Sequence, residues 1–213
     1  MDCCRRRIAR LMRKAGLQGR HRRRRPLKTI PDPRAAARAD LIVRDFAPAP
    51  DGLDTRRCGD VTYVPTEEGW LYLATVIDIA SRRVVGWSTA DHLRTELVAE
   101  ALRSACHRRR PTRPVIFYSN HGCQYTSQQF ATLAMHFGVR LSVGRTGQCW
   151  DSALAQSFFA TIKRELLHTS PWPQRTATPH RDLRRHRGLV QLAPTDSSLG
   201  YRSPAECETA LAV

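Results

Sequence analysis

Three polar residues stand at places where strand ends and a helix face could bring them together: Asp60 in "CGDVTYVP", Asn120 in "PVIFYSNHGCQYTS" and Gln156 in "SALAQSFFATIKRELL". Asp60 lies between apolar neighbours in a β-branched run. Asn120 follows an apolar run, where a chain leaving a buried strand often carries a catalytic carboxylate. An amide keeps the shape of that group and loses its charge. There are 35 residues between Asn120 and Gln156, and Lys163 lies seven beyond Gln156, two turns along the same helical face. Taken singly, each has an ordinary reading. Asn120 suits a loop with an unusual backbone angle, Gln156 a helix surface, and Asp60 a hydrogen-bonded strand position. Asp151 and Ser152 are simplest as helix N-caps, and His121 as a substituted loop position.

The elements that must position these residues are legible in the apolar pattern. "CGDVTYVP", "GWLYLATVIDIA" and "RVVGWSTA" read as a three-strand meander with turns at "TEEG" and "SRR". "TELVAEALRSACHRR" has helical spacing, with Leu97, Val98, Ala101, Leu102 and Ala105 on one face and basic residues at its end. Strand "PVIFYS", helix "TSQQFATLAMHFG", strand "VRLSVG" and helix "SALAQSFFATIKRELL" follow. The order βββαβαβα predicts an α/β fold, a mixed sheet flanked by helices. Trp70, Tyr72, Trp87, Phe158 and Phe159 fall at core spacing, and Asp78 reads as a turn residue.

Charge divides the chain. Its net +16 is concentrated in residues 1–34, with 13 Lys/Arg against 2 Asp, and in 161–190, with 7 against 2; residues 35–160 are nearly neutral. That distribution predicts electrostatic binding to a polyanion. "CRRRIARLMRKAGLQG" begins as a short amphipathic helix with Ile8, Leu11 and Met12 on one face, and Arg22, Arg23, Arg24 and Arg25 continue it as an extended basic arm. The expected organisation is a basic arm over 1–34, a Pro/Ala-rich linker over 35–56, a core over 57–168 and a C-terminal segment over 169–213. Seven cysteines without a C-x-x-C pair support neither a zinc site nor a disulfide framework. No run approaches the roughly 18 apolar residues of a membrane helix, so a cytoplasmic protein is expected.

The runs "GDVTYVPTEEGWLYLATVIDIASRRVVGW", "ADHLRTELV", "YSNHGCQYTS", "CWDSALAQSFFATIKRELL" and "SSLGYRSPAE" together resemble the insertion-sequence transposases of the retroviral-integrase (DDE) superfamily. The resemblance implies an RNase H-like fold and a DNA-binding N-terminal region. It implies DNA ends and target as partners, multimers acting on paired ends, and Mg²⁺ or Mn²⁺ as cofactor. In that family Asp, Asp and Glu, with 35 residues between the last two, hold two metals that clamp the scissile phosphate and activate the attacking oxygen. Carried over by position, the three are Asp60, Asn120 and Gln156, with Lys163 as a DNA contact; the Arg22–Arg25 run is a DNA contact by its charge. Asp60 is then the one carboxylate left to ligate metal. Hard cations prefer anionic oxygens, and an amide NH₂ repels them. The resemblance therefore implies a copy that keeps the fold and DNA affinity and has lost normal catalysis. A non-enzymatic partner or competitor of an active transposase, and a decayed product without function, fit the same substitutions.

Other departures accompany these. Arg57 stands where the family usually has Trp, and "YSNHG" where it has "HSDRG". Residues 180–196, "HRDLRRHRGLVQLAPTD", replace a helix in which the family carries "EGWYN". Leu189-Val190-Gln191 can be encoded CTG GTA CAA C, which read one base later gives Trp-Tyr-Asn. We expect a pair of compensating frameshifts around this segment, closing before "SSLGYRSP". The gene's nucleotide sequence is the check: if no single-base shift restores the family helix, the segment has another origin.

Overall fold

The computed structural model describes residues 4–17, 38–43, 45–48, 52–144, 159–160 and 199–211. The chain divides into two compact units, Met1–Pro31 and Asp32–Val213. In the first, α1 (Arg5–Lys14) forms where expected and ends ahead of Gly16, whose φ of 66° suits a residue without a side chain. Ile8 and Leu11 on its apolar stripe remain exposed.

The second unit is built on one five-stranded sheet. β1 (Arg56–Thr66), β2 (Gly69–Asp78) and β3 (Val84–Ala90) form the predicted antiparallel meander; β4 (Val115–Ser119) and β5 (Val139–Val143) extend it in parallel, giving the order β3-β2-β1-β4-β5. Between β3 and β4 runs α2 (Thr95–Arg109), and between β4 and β5 run α3 (Cys123–Thr126) and α4 (Gln128–His136). The helix expected over "TSQQFATLAMHFG" is thus preceded by a separate helical turn. Ser127 divides the two, in extended conformation, its hydroxyl accepting from the Phe130 N–H. Near the C-terminus lies α5 (Pro204–Leu211).

Alternation along the strands gives the sheet two apolar faces. One face holds Ala74, Val76, Val115, Phe117 and Val139 under α2 and α4, which contribute Leu97, Val98, Leu102, Phe130 and Ala134. The helix–sheet approach is close: a Cβ on Gly86 of β3 would lie 2.4 Å from the Ala101 carbonyl oxygen, so that position admits no side chain. The other face holds Cys58, Ile77, Val84 and Tyr118. Part of the stretch read as a linker lies against this face. Ile42 is buried, the Phe46 ring meets Tyr118 edge-on at 5.2 Å, and the Leu41 N–H donates to Ser142 Oγ. Burial pushes the Cys58 thiol up to about 12.

Trp70 departs from expectation. It pairs in register with Pro65 near the β1–β2 turn, 48% exposed, its ring edge-on to Tyr63 at 5.1 Å. Its alternation matches a core position, yet the hairpin continues past the part of the sheet that the helices cover. Asp78, read as a turn residue, is instead the last residue of β2, paired with Arg57 and fully buried. Its carboxylate accepts from the Ser81 N–H and hydroxyl and from the Asp54 N–H, and burial raises its pKa against the lowering effect of those bonds.

Asp78 opens a polar network around the start of β1. Arg57, in the position where Trp was expected, is completely buried. Its guanidinium donates to Asp54 Oδ1 at 3.0 Å and faces Cys106 Sγ at 3.9 Å. Arg109, from the last turn of α2, shares Asp54 at 3.7 Å. Glu208 of α5 completes the set, bonded to Ser81, Arg83 and Arg109. One carboxylate thereby ties the C-terminal helix to both the β2–β3 turn and α2. Charged hydrogen bonds in a half-buried setting are worth about 1.5–3 kcal/mol. Glu208→Ala should lower the unfolding free energy by that amount in urea titrations; an unchanged midpoint would mean that α5 adds nothing to the core.

Candidate active site

Parallel pairing of β1 with β4 sets the site. Arg56 lies opposite Ile116 and Gly59 opposite Ser119, so Asn120, the first residue past the end of β4, comes beside Asp60, which continues along β1. Gly59 permits this register: a Cβ there would fall 2.2 Å from the tip of the Phe117 ring, which lies over β1. Asp60 is half-buried, while Asn120 is exposed at the mouth of the β4–α3 loop.

The hydrogen bonds fix which end of the amide faces the carboxylate. Asn120 Oδ1 accepts from the Gly122 backbone N–H at 2.8 Å, closing an Asx turn. A backbone N–H can only donate, so the amide oxygen must face it. The NH₂ end then points to Asp60, with Nδ2 3.4 Å from Oδ1. Asp60 Oδ1 also accepts from the Val61 N–H at 2.8 Å. An aspartate in place of Asn120 could make the same turn with one oxygen and offer the other to a cation; asparagine makes the turn and offers two protons instead. These residues do not fit a divalent metal, because a donor stands where a second anionic ligand would be required. Among the described residues no group of three His, Cys, Asp or Glu side chains is arranged to hold a metal ion.

Of the residues singled out in the sequence, the fold therefore brings Asp60 and Asn120 together. Gln156, Lys163 and Arg22, Arg23, Arg24 and Arg25 lie outside the described residues. His121 turns its Nε2 to the Gly144 carbonyl beyond β5. The Gly122 N–H was not anticipated; its signal was Asn followed two residues later by Gly, a turn pattern within "SNHGC". Gln124 was also missed. Its side-chain amide donates to the Leu93 carbonyl at 3.1 Å and joins α3 to the β3–α2 loop.

Comparison with known proteins adds to this geometry. Residues 53–149 match the integrase core domain. The chain is 34% identical over 150 residues to the transposase for insertion sequence element IS904 of Lactococcus lactis, covering 70% of this chain and 59% of that protein. Its core is an integrase core, similar to that of the insertion-sequence transposases. Transposase InsF for insertion sequence IS3A of Escherichia coli is 39% identical over 129 residues, or 61% of this chain and 44% of that transposase. The chain spans about half the length of these curated relatives. Among solved structures, the HTLV-2 integrase catalytic core domain in complex with magnesium superposes with a TM-score of 0.54 at 16% identity, covering 73% of this chain and 96% of that one. A chain of the simian T-cell lymphotropic virus intasome gives 0.57 at 16% identity, covering 72% and 52%. Identities this low speak for the fold alone, and the fold is the RNase H-like mixed sheet expected for this transposase family.

Burial raises the Asp60 carboxyl above its ordinary 3.8, opposed by the Val61 N–H bond. The folded chain therefore holds this proton to higher pH than the unfolded chain does. Stability falls as pH rises from 3.8 through the raised value and stays lower above it. Asp60→Asn removes that loss while its Oδ1 can still accept from Val61 and Asn120. The variant should have a higher urea midpoint than the parent at pH 7, and the difference should vanish towards pH 3. A variant no more stable than the parent at pH 7 would show that burial of Asp60 carries no cost.

Proposed function

We propose that this chain is a DNA-binding transposase-family protein whose core no longer carries out metal-dependent strand cleavage and transfer. The observation that carries the reading is the orientation of Asn120. Its oxygen is committed to Gly122 and its NH₂ faces Asp60, so a cation approaching Asp60 meets two protons. The HTLV-2 integrase core of the same fold is described in complex with magnesium, in dimeric and trimeric forms. Gln156 in place of a third carboxylate would weaken a metal site further. DNA affinity is assigned to the basic arm at Arg22–Arg25 and to Lys163, since most of the +16 charge lies in the two segments that contain them. Self-association on paired DNA ends is the expected working state.

The decisive experiment is strand transfer with element-end DNA in Mg²⁺ or Mn²⁺, using the parent chain and the Asn120→Asp, Gln156→Glu double variant. The parent should give no product yet bind the DNA with strong salt dependence. In the same buffers the double variant should be less stable than the parent without metal, because two carboxylates then face each other. It should regain thermal stability on adding Mg²⁺ as ligand binding draws the equilibrium to the folded state. Strand transfer by the parent, or a Mg²⁺-dependent rise in its melting temperature equal to that of the double variant, would overturn the loss of metal chemistry.

A further inference from the structure

The corner between α2 and β4 carries charge that neither the Asp60–Asn120 pair nor the fold uses. Residues 101–144 contain six Arg and three His and not one Asp or Glu. Two of the arginines have acidic partners from outside the stretch: Arg103 pairs with Glu100, and Arg109 with Asp54 and Glu208. Arg108, Arg110 and Arg113 are exposed, and among the described residues no acidic side chain pairs with them. His107, beside them, packs its ring edge-on against Phe137 at 5.6 Å, which holds the end of α2 against the end of α4.

Helix-end electrostatics explains only part of this. Cations near a helix C-terminus are favoured, which accounts for Arg108 and Arg109. Arg113 lies four residues past the helix. Arg110 caps α2 in the left-handed region, at φ 43°, where glycine is the usual choice and another residue costs roughly 1–2 kcal/mol. An exposed guanidinium is thus kept at a position where the backbone favours glycine.

We infer that Arg108, Arg110 and Arg113 form a second DNA-binding surface, one for the phosphate backbone of a duplex, separate from the N-terminal arm. The choice of DNA as the polyanion rests on the reading in the preceding section. β4 starts beside this corner and ends at Ser119, next to Asn120. Its five residues, at about 3.3 Å each, put the corner roughly 17 Å from the Asp60–Asn120 pair. That is about half of a duplex turn of roughly 34 Å, so one DNA molecule lying along the core can meet both. The side chains offer charge and no apolar or stacking platform, which suits sequence-independent holding of the backbone.

The test is binding of the full chain to a fluorescently labelled DNA duplex of arbitrary sequence across a salt series. The parent is compared with the Arg108→Ser, Arg110→Gly, Arg113→Ser triple variant. Removing one phosphate-binding cation should lower the slope of log K against log salt by about 0.9, so the triple variant should fall short of the parent by about 2.7. Arg110→Gly alone should fall short by about 0.9 while its thermal midpoint stays the same or rises, since glycine takes this backbone angle without strain. That outcome separates weakened phosphate binding from a damaged fold. Arg108→Lys with Arg113→Lys should keep the parental slope. A triple variant with the parental slope overturns the second surface while leaving DNA binding through the arm intact. A lysine variant as impaired as the serine one also overturns it, as does a change in sedimentation of the triple variant with no change in slope, which would mark an interface between copies. A parent that binds the duplex without salt dependence sinks this surface and the DNA-binding reading together.

Discussion

The bond from the Gly122 N–H to Asn120 Oδ1 governs the candidate site, because it removes the freedom of an amide to turn round. In solution an asparagine presents either end to a neighbour at little cost. Here the loop leaving β4 offers one donor at a fixed place, and the amide must answer it with its oxygen. Everything nearby inherits that choice. The NH₂ meets Asp60, and Asp60 meets a neutral donor in place of a like charge. The parallel register of β1 and β4, with Phe117 over Gly59, supplies the frame that makes the encounter unavoidable.

The same bond explains how folding and chemistry can separate. Aspartate and asparagine make the turn equally well, so the loop, the sheet and the helices above it do not register the difference. What changes is confined to one atom facing Asp60: an acceptor with charge becomes a donor without it. Replacing one of two neighbouring carboxylates by an amide also removes a repulsion. Exchanging a carboxylate for an amide at this position therefore relieves strain in the fold, and the loop and sheet offer no structural resistance to it.

Much of the architecture is legible in the chain. The alternation in "CGDVTYVP" and "RVVGWSTA", and the helical stripe of Leu97, Val98, Ala101, Leu102 and Ala105, specify elements that the structure contains. The order of three strands followed by alternating units implies the mixed sheet. What escapes sequence reading depends on distant partners. Arg57 belongs to the residue types least often buried, yet it is completely enclosed because Asp54, three residues before it, supplies the counter-charge. Glu208 lies 125 residues from Arg83 and has no local pattern that would join them. Alternation puts Trp70 in the core because periodicity registers a side chain's direction and not whether anything covers it. The Asx turn is recoverable in principle from Asn-His-Gly, but which amide end it aims at Asp60 follows only from the strand register.

Anchoring of α5 has a consequence for the stretch of chain that precedes it. Gly144 reaches back to the Ser119 carbonyl, and Leu199 is buried ahead of the helix that Glu208 pins to the sheet. The interval between Gly144 and Leu199 is therefore tethered at both ends to the same unit. Closing such an interval costs free energy that grows only with the logarithm of its length, about 0.6 kcal/mol for each doubling. The length of chain between the two anchors therefore has little effect on whether they find each other. A change in the length of that interval thus leaves the docking of the last helix to contacts that lie outside it.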